Sequence, residues 1–274
     1  MFKIPARDRI WEINTPQVMG ILNATADSFY EESRVKATDR AVEKTGQFIQ
    51  EGAQIIDIGG QSTRPGAAFI SVKDEIQNVV PIIEAIRTTY PTLLISVDTF
   101  QSEVASAAIK AGANIINDIS CGSFDQLMCK VVADNNAGFI GMHLTGTLNT
   151  MHEIPVRENV MNDVMSFFID KKKTLANKGI QNWVIDPGFG FGKSIEENFS
   201  LVKNLHHLNS LALPILLGVS RKSSIYKTLQ ITAKEALNGT TVLNTVGLLN
   251  GANVLRVHDV KEAKEIIDLL PLLS

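Results

Sequence analysis

Asn23, Asp57, Asp98, Asn117, His143, Asp186, the Ser220-Arg221-Lys222 turn and the Arg256/His258 pair each stand at the end of a short apolar, β-branched run. Arg256 and His258 are two apart, so strand alternation puts both on one face. There a permanent positive charge and imidazole donors suit an anion such as phosphate. Lys222 could be a Schiff-base nucleophile, a phosphate ligand or a hydrogen-bond donor to a carbonyl. The flanking serines and the exposed first turn of a following helix would add donors for an anion. Asp98, Asn117 and Asp186 must accept from N–H groups or pair with cations if they face an interior. With a lysine donor beside them they suit a flat heterocycle with an amino-pyrimidinone edge; a structural network with Arg221 or Arg64 is the alternative. In Asp186-Pro187-Gly188-Phe189-Gly190-Phe191-Gly192-Lys193 the glycines let the backbone pass close over a ligand, and the phenylalanines would wall it. His143 and His258 lack zinc-type spacing, and His152, His206 and His207 are expected in solvent or loops.

Groups so far apart in sequence need elements that bring them together. The apolar runs cover residues 18–23, 54–59, 93–98, 114–119, 139–143, 183–186, 214–220 and 254–258, and a helix-length segment follows each. Thr38-Asp39 opens the first helix and Gly52 closes it; the second runs from Ser71 or Val72 to Tyr90, with Pro91 beyond. Further helices are expected over 101–110, 124–135, 157–177, 196–208, 233–249 and 261–270. Strict alternation implies βαβ units and a parallel sheet, and eight repeats favour a closed (β/α)8 TIM barrel over an open sheet. Such a barrel assembles its active site from the loops after its strands, which accounts for the polar strand ends. Residues 1–17 are expected to form a short N-terminal cap at the barrel's amino end, with the barrel as a single domain over 18–274. Two long polar loops, 24–37 and 60–71, fall on the face where the strand ends converge and have the length of functional lids.

Composition excludes several classes. A chain of 274 residues, 45% hydrophobic and 20% charged, can bury a large core. A net charge of −3 gives no sign of a nucleic-acid or anionic-membrane partner. Lys171-Lys172-Lys173 is expected to coat a helix's solvent face. Cys121 and Cys129 form no metal or redox spacing and read as free, half-buried thiols in a reducing compartment. With no membrane-length apolar stretch and no signal-peptide core near Met1, a cytoplasmic protein is expected.

The ordered motifs closely resemble the dihydropteroate synthase family across essentially the whole chain. They are Met19-Gly20-Ile21-Leu22-Asn23 with Asp27-Ser28-Phe29, Ile56-Asp57-Ile58-Gly59-Gly60 with Ser62-Thr63-Arg64-Pro65-Gly66, and Ile95-Ser96-Val97-Asp98-Thr99. They continue with Ile116-Asn117-Asp118-Ile119, Met142-His143, the 186–193 segment, Ser220-Arg221-Lys222-Ser223 and Arg256-Val257-His258-Asp259. The resemblance implies coupling of a hydroxymethyl dihydropterin pyrophosphate with p-aminobenzoate, through SN1-like loss of pyrophosphate, to give dihydropteroate. It also implies a sulfonamide target and a homodimer. By the same resemblance Asp98, Asn117, Asp186 and Lys222 would hold the pterin edge, with Met142 against its ring. Thr63, Arg256 and His258 would contact the pyrophosphate, and Asn23 would bind the accompanying Mg²⁺. Phe29, Arg64, Pro65, Phe191 and Ser223 would build the p-aminobenzoate pocket. Lys222, Arg256, His258 and Asp98 would carry the catalytic work.

The first loop departs from the family pattern Thr-Pro-Asp-Ser-Phe-x-Asp-Gly-Gly, having Thr25-Ala26-Asp27-Ser28-Phe29-Tyr30-Glu31-Glu32-Ser33. A fixed φ and the easiest hinge are lost together, and in the second loop Gln61 replaces the common Glu. Three other readings stay open: a diverged pterin-binding paralogue without synthase activity, a pterin-binding module of methyltransferase type, and a lysine-dependent aldolase using Lys222.

Overall fold

β-Branched and other bulky apolar side chains fit a pleated surface, and strands covered on both faces need them at nearly every position. The central strands have that character: Ile55–Gly59 and Gly138–Met142 are buried throughout. The structure, a computed structural model, describes residues 1–24, 31–61, 70–146, 150 and 157–272. Ten strands run in chain order among these residues: β1 (Phe2–Ala6), β2 (Arg9–Ile13), β3 (Gln17–Asn23), β4 (Ile55–Gly59), β5 (Leu94–Asp98), β6 (Ile115–Asp118), β7 (Gly138–Met142), β8 (Val184–Asp186), β9 (Leu216–Leu217) and β10 (Val254–Val257). β3 to β10 form one sheet in the order β8-β7-β6-β5-β4-β3-β10-β9, and every pairing in it is parallel. A bridge between Ile185 and Ile215 brings β8 to the start of β9 and closes the ring; there Ile185 N–H donates to the Pro214 carbonyl at 2.9 Å. The expected (β/α)8 barrel is the observed fold.

Nine α-helices surround it among the described residues: α1 (Glu31–Gln50), α2 (Val72–Thr89), α3 (Ser102–Ala111), α4 (Met128–Asp134), α5 (Val160–Asn177), α6 (Ile195–Lys203), α7 (Ser223–Leu229), α8 (Leu237–Leu249) and α9 (Val260–Leu269). Their ends follow local chemistry. Ser71 accepts from Asp74 N–H to start α2, Asn159 caps α5, and Ser194 with Glu197 forms a capping box on α6. None of these helices is long and apolar enough to cross a membrane.

Several boundaries differ from the sequence expectation. α1 begins at Glu31 rather than at Thr38-Asp39, so the first loop is shorter than 24–37; a Glu-Glu-Ser sequence has no glycine to break a helix, and acidic residues favour its first turn. α4 starts at Met128, four residues later than expected, because the Asp125 carboxylate accepts from the Leu127 and Ser102 N–H groups and holds a turn there. The expected strand over 214–220 shrinks to Leu216–Leu217. The 196–208 segment divides into α6 and a 3₁₀ turn at Leu205–Leu211, and α7 is an extra short helix before α8. The lysine run is not simply solvated: Lys171 donates to the Cys121 carbonyl and Ser123 Oγ, both at 2.7 Å, and Lys172 to the Leu211 carbonyl at 2.6 Å. Cys121 and Cys129 are free and fully buried rather than half-buried; burial pushes both thiols up, which keeps them unreactive.

The first two strands form an antiparallel hairpin, with Arg7 at a left-handed φ of 64° in its turn. Its Ile4, Ala6, Trp11 and Ile13 pack onto Met19, Ile55, Ile115, Ile140, Val184, Leu216 and Val254, the innermost layer at the strands' amino ends. Trp11 is buried, and its indole N–H donates to Gln17 Oε1 at 2.7 Å. This plug lies at the opposite end of the barrel from the polar strand ends. Trp11→Ala should therefore cost about 3–5 kcal/mol of stability while leaving any chemistry at the polar strand ends unchanged. Urea unfolding and steady-state kinetics on one preparation check this, and a large change in the kinetics would break the separation of the two ends.

Candidate active site

Inward-facing polar residues in a barrel have no water to turn to, so each must find a partner across the interior. Arg256, near the end of β10, reaches across to two carboxylates. Its Nε donates to Asp57 Oδ2 at 2.6 Å and its Nη2 to Asp98 Oδ2 at 2.8 Å. Asp57 is wholly buried on β4, and Asn117 Nδ2 on β6 also donates to its Oδ2, at 3.1 Å. Asp98 and Asn117 are register neighbours at the ends of β5 and β6. Burial pushes the Asp98 carboxyl up to about 7 despite Arg256, with Asp57, Glu75 and Asp118 adding like charge. Glu75 lies buried on α2 and accepts from Gln101 Nε2 at 2.7 Å. Burial works against the Arg256 charge, but Asp57 and Asp98 outweigh it and hold the guanidinium firmly protonated.

A second group gathers at β8 and β9. Asp186 ends β8 beside Met142 in the register, and both are buried. Its Oδ1 accepts from Gly188 N–H at 2.8 Å, and burial raises its pKa although Lys222 opposes the shift. The Lys222 ammonium donates to the Phe189 carbonyl and stands 4.6 Å from the centre of the Phe191 ring. Burial pulls its pKa down to about 8, against the pull of Asp186. His143 follows β7 and is kept neutral, its pKa driven down to about 2 by burial and by the nearby Lys193 and Arg157 charges.

Behind the rim, Ser220 Oγ and His258 Nδ1 are 3.0 Å apart, and His258 N–H donates to Ser220 Oγ at 3.2 Å. These contacts tie the turns after β9 and β10 together. Arg221 turns away: it pairs with both oxygens of Asp259 at 2.8 Å and donates to the Ala233 and Lys234 carbonyls. The carboxylates of the interior are thus balanced by Arg256 and Lys222, not by Arg221. Ser223 opens α7, beside Lys222. Asn23 ends β3 with its side chain exposed at the rim. Phe29, Thr63, Arg64, Pro65 and His152 lie outside the described residues.

Among the described residues no three His, Cys, Asp or Glu side chains gather in a way that could hold a metal ion. Asn23 offers one neutral oxygen. That donor set fits a Mg²⁺ ion that keeps most of its waters and arrives with a phosphate ligand, and does not fit a resident metal.

The sequence matches the family described as pterin binding enzyme over residues 19–258. The chain belongs to that family. It is 40% identical to the dihydropteroate synthase of Streptococcus pyogenes over 257 residues, covering 92% of this chain and 94% of that protein. It resembles the crystal structure of Yersinia pestis dihydropteroate synthase in complex with a sulfonamide drug, at a TM-score of 0.92 and 34% identity over 99% of both chains. A structure of the Xanthomonas albilineans synthase with 4-aminobenzoic acid superimposes at a TM-score of 0.90, with 34% identity over 99% of this chain and 97% of that one. Within the pterin-binding enzymes the chain is thus a dihydropteroate synthase-type transferase.

Sequence reasoning gave Asp57 a place among the strand ends but no role, because nothing local shows that Arg256, 199 positions away, closes on it. The alternation of β4 held the available signal: Asp57 occupies an inward position that an apolar residue would normally take. Asp57→Ala should lower stability by roughly 3 kcal/mol, since it removes one of two anions from a buried guanidinium. Denaturant unfolding would measure the loss, and a value under about 1 kcal/mol would mean that Asp98 alone suffices for Arg256.

Proposed function

We propose that this protein joins 6-hydroxymethyl-7,8-dihydropterin pyrophosphate to p-aminobenzoate, forming 7,8-dihydropteroate and pyrophosphate in folate biosynthesis. The observation that carries the reading is the convergence of two carboxylates and an amide at three strand ends with a half-buried lysine from the turn after β9. Asp98 and Asp186 can accept from the N–H groups of an amino-pyrimidinone edge, while Asn117 and Lys222 can donate to its ring nitrogen and carbonyl. Met142 lines the same cup. No partner other than these small molecules is needed to account for it.

The pterin's methylene C–O bond breaks with its electron pair leaving on pyrophosphate, and the resulting cation is delocalised into the pterin ring. The p-aminobenzoate nitrogen then attacks the methylene carbon and loses a proton. Arg256, near the end of β10, would supply positive charge, and His258 just beyond it an imidazole nitrogen, where the leaving group develops negative charge. Mg²⁺ bound with the pyrophosphate, with Asn23 as its protein oxygen, would further neutralise that charge. Phe191 beside Lys222, with Ser223 and the Phe29, Thr63, Arg64 and Pro65 side chains of the two loops, would receive p-aminobenzoate and complete the phosphate site. Binding of p-aminobenzoate there implies sensitivity to sulfonamides. Buried free thiols at Cys121 and Cys129 suit the reducing cytoplasm. Exposed Val242 and Leu249 on one side of α8, with Leu229 on α7, offer apolar surface for a homodimer.

Pyrophosphate release from the dihydropterin pyrophosphate with Mg²⁺, with and without p-aminobenzoate, tests the reading, together with detection of dihydropteroate. Product that depends on p-aminobenzoate is the expected result; release or pterin binding without coupled product would instead mark a paralogue that has lost synthase activity. Lys222→Ala and Arg256→Ala should each lower turnover by about 10²-fold or more, and near-wild-type activity in both would sink the role assignment. The pH profile has a defined sign. Asp98 must be ionised to accept N–H groups, so kcat/KM should rise through about 7; Lys222 must be protonated to balance Asp186, so it should fall above about 8. A flat profile from pH 6 to 9 would contradict it.

A further inference from the structure

Lys193 has no part in the reaction described above, yet its ammonium is enclosed at the centre of the loop that follows β8. Nζ donates to the Gly188 carbonyl at 2.8 Å and to the Phe191 carbonyl at 3.0 Å. Gly188, Gly190 and Gly192 take left-handed φ values of 71°, 82° and 59°, a conformation that glycine adopts without strain. The resulting coil aims successive carbonyls away from any strand partner. Gly188 also accepts from Phe191 N–H at 3.1 Å, closing a tight turn. Lys222 takes the Phe189 carbonyl. Two lysine amines thus hold the carbonyls of residues 188, 189 and 191, and the centre of the Phe191 ring lies 4.6 Å from Lys222 Nζ.

The surroundings stiffen this grip. Arg157 donates to the Gly192 carbonyl at 2.9 Å, to Glu197 at 3.2 Å and to Thr145 Oγ1 at 2.8 Å, with a side chain only 8% exposed. Buried Asn198 accepts from Gly190 N–H at 2.6 Å and donates to Ser224 Oγ at 3.1 Å, joining this loop to the start of α7. Burial, with Arg157 close by, pulls the Lys193 pKa down to about 7, with Asp186 opposing. The Lys193 amine nitrogen is thus taken up by two carbonyls of one turn, which the Phe191 N–H bond to Gly188 already closes.

We propose that Lys193 is a positioning residue for the p-aminobenzoate side of the site, holding the Gly188 and Phe191 carbonyls so that the Phe191 ring stays against Lys222. The proposal rests on the functional reading above, in which Phe191 borders p-aminobenzoate. Asp98 and Asn117, on β5 and β6, are set apart from this loop, and Asp186 is fixed by its β8 register, so of the pterin groups only Lys222 leans on the carbonyls and the ring that Lys193 helps to place. Loss of the Lys193 ammonium should therefore be felt at the second substrate first.

Steady-state kinetics for both substrates on the full-length protein, with thermal midpoints, test this in wild type, Lys193→Met and Lys193→Arg. Lys193→Met should raise the KM for p-aminobenzoate roughly tenfold, as expected of a misplaced ring, and move the KM for the pterin pyrophosphate by less than about threefold. Lys193→Arg keeps a cation over the same carbonyls and should stay within about threefold of wild type for both. If Lys193→Met does not fold, Lys193→Gln carries the same expectation. An active wild type whose apolar variant changes neither KM, or both equally, overturns the proposal alone, as does an arginine variant as impaired as the methionine one. A wild type that forms no dihydropteroate overturns the functional reading and the proposal with it.

Discussion

One guanidinium shared by two carboxylates inside the barrel is the interaction on which the rest of the site depends. Arg256 comes from the last strand, and Asp57 and Asp98 from the second and third strands of the barrel. None of the three charges would be tolerated alone in that interior, where the uncompensated cost is several kcal/mol per ion. Together they compensate one another only in part, because one cation faces two anions. Burial, with the neighbouring carboxylates adding to it, raises the proton affinity of Asp98, and Asp57 orients Asn117. The carboxylates of such a cup favour a ligand edge rich in N–H groups.

The other side of the cup meets the same difficulty with the opposite sign. The 186–193 segment places glycine at every second position from Gly188, which lets the backbone coil tightly but leaves no side chains there to satisfy its inward carbonyls. Lys222 and Lys193 supply the donors, and burial lowers the pKa of both. Carboxylates with raised proton affinity thus face lysines with lowered proton affinity across one site. Such opposed shifts are characteristic of sites that handle charge during a reaction.

Stability and chemistry are placed at opposite ends of the barrel. The hairpin of β1 and β2 seals the amino end with Trp11, Ile4 and Ile13 against an all-apolar layer, so the strands are anchored where no polar group is required. That leaves their carboxyl ends free to carry side chains that a self-contained core would reject. The short β9 fits the same division. Only two residues pair as strand, and the chain then turns at left-handed Arg221, whose bidentate bond to Asp259 fixes the turn that presents Lys222.

The alternation of apolar runs and helical segments was legible from residue types alone, because burial on both faces of a parallel strand demands a continuous apolar run and polar residues then stand out at its end. That determined the barrel, the placement of Asp98, Asn117, Asp186, Lys222 and Arg256 at its rim, and, through ordered motifs, the family. The start of α1 and the brevity of β9 were not legible, since propensity and pattern leave element ends open until packing chooses them. Nor were the partnerships: that Arg256 takes Asp57 and Asp98, that Arg221 goes to Asp259, and that Lys193 turns back onto its own loop. Side-chain pairing across a barrel depends on register, stagger and the distance between strand ends. Those quantities exist only once the ring has closed, and so only the tertiary structure decided them.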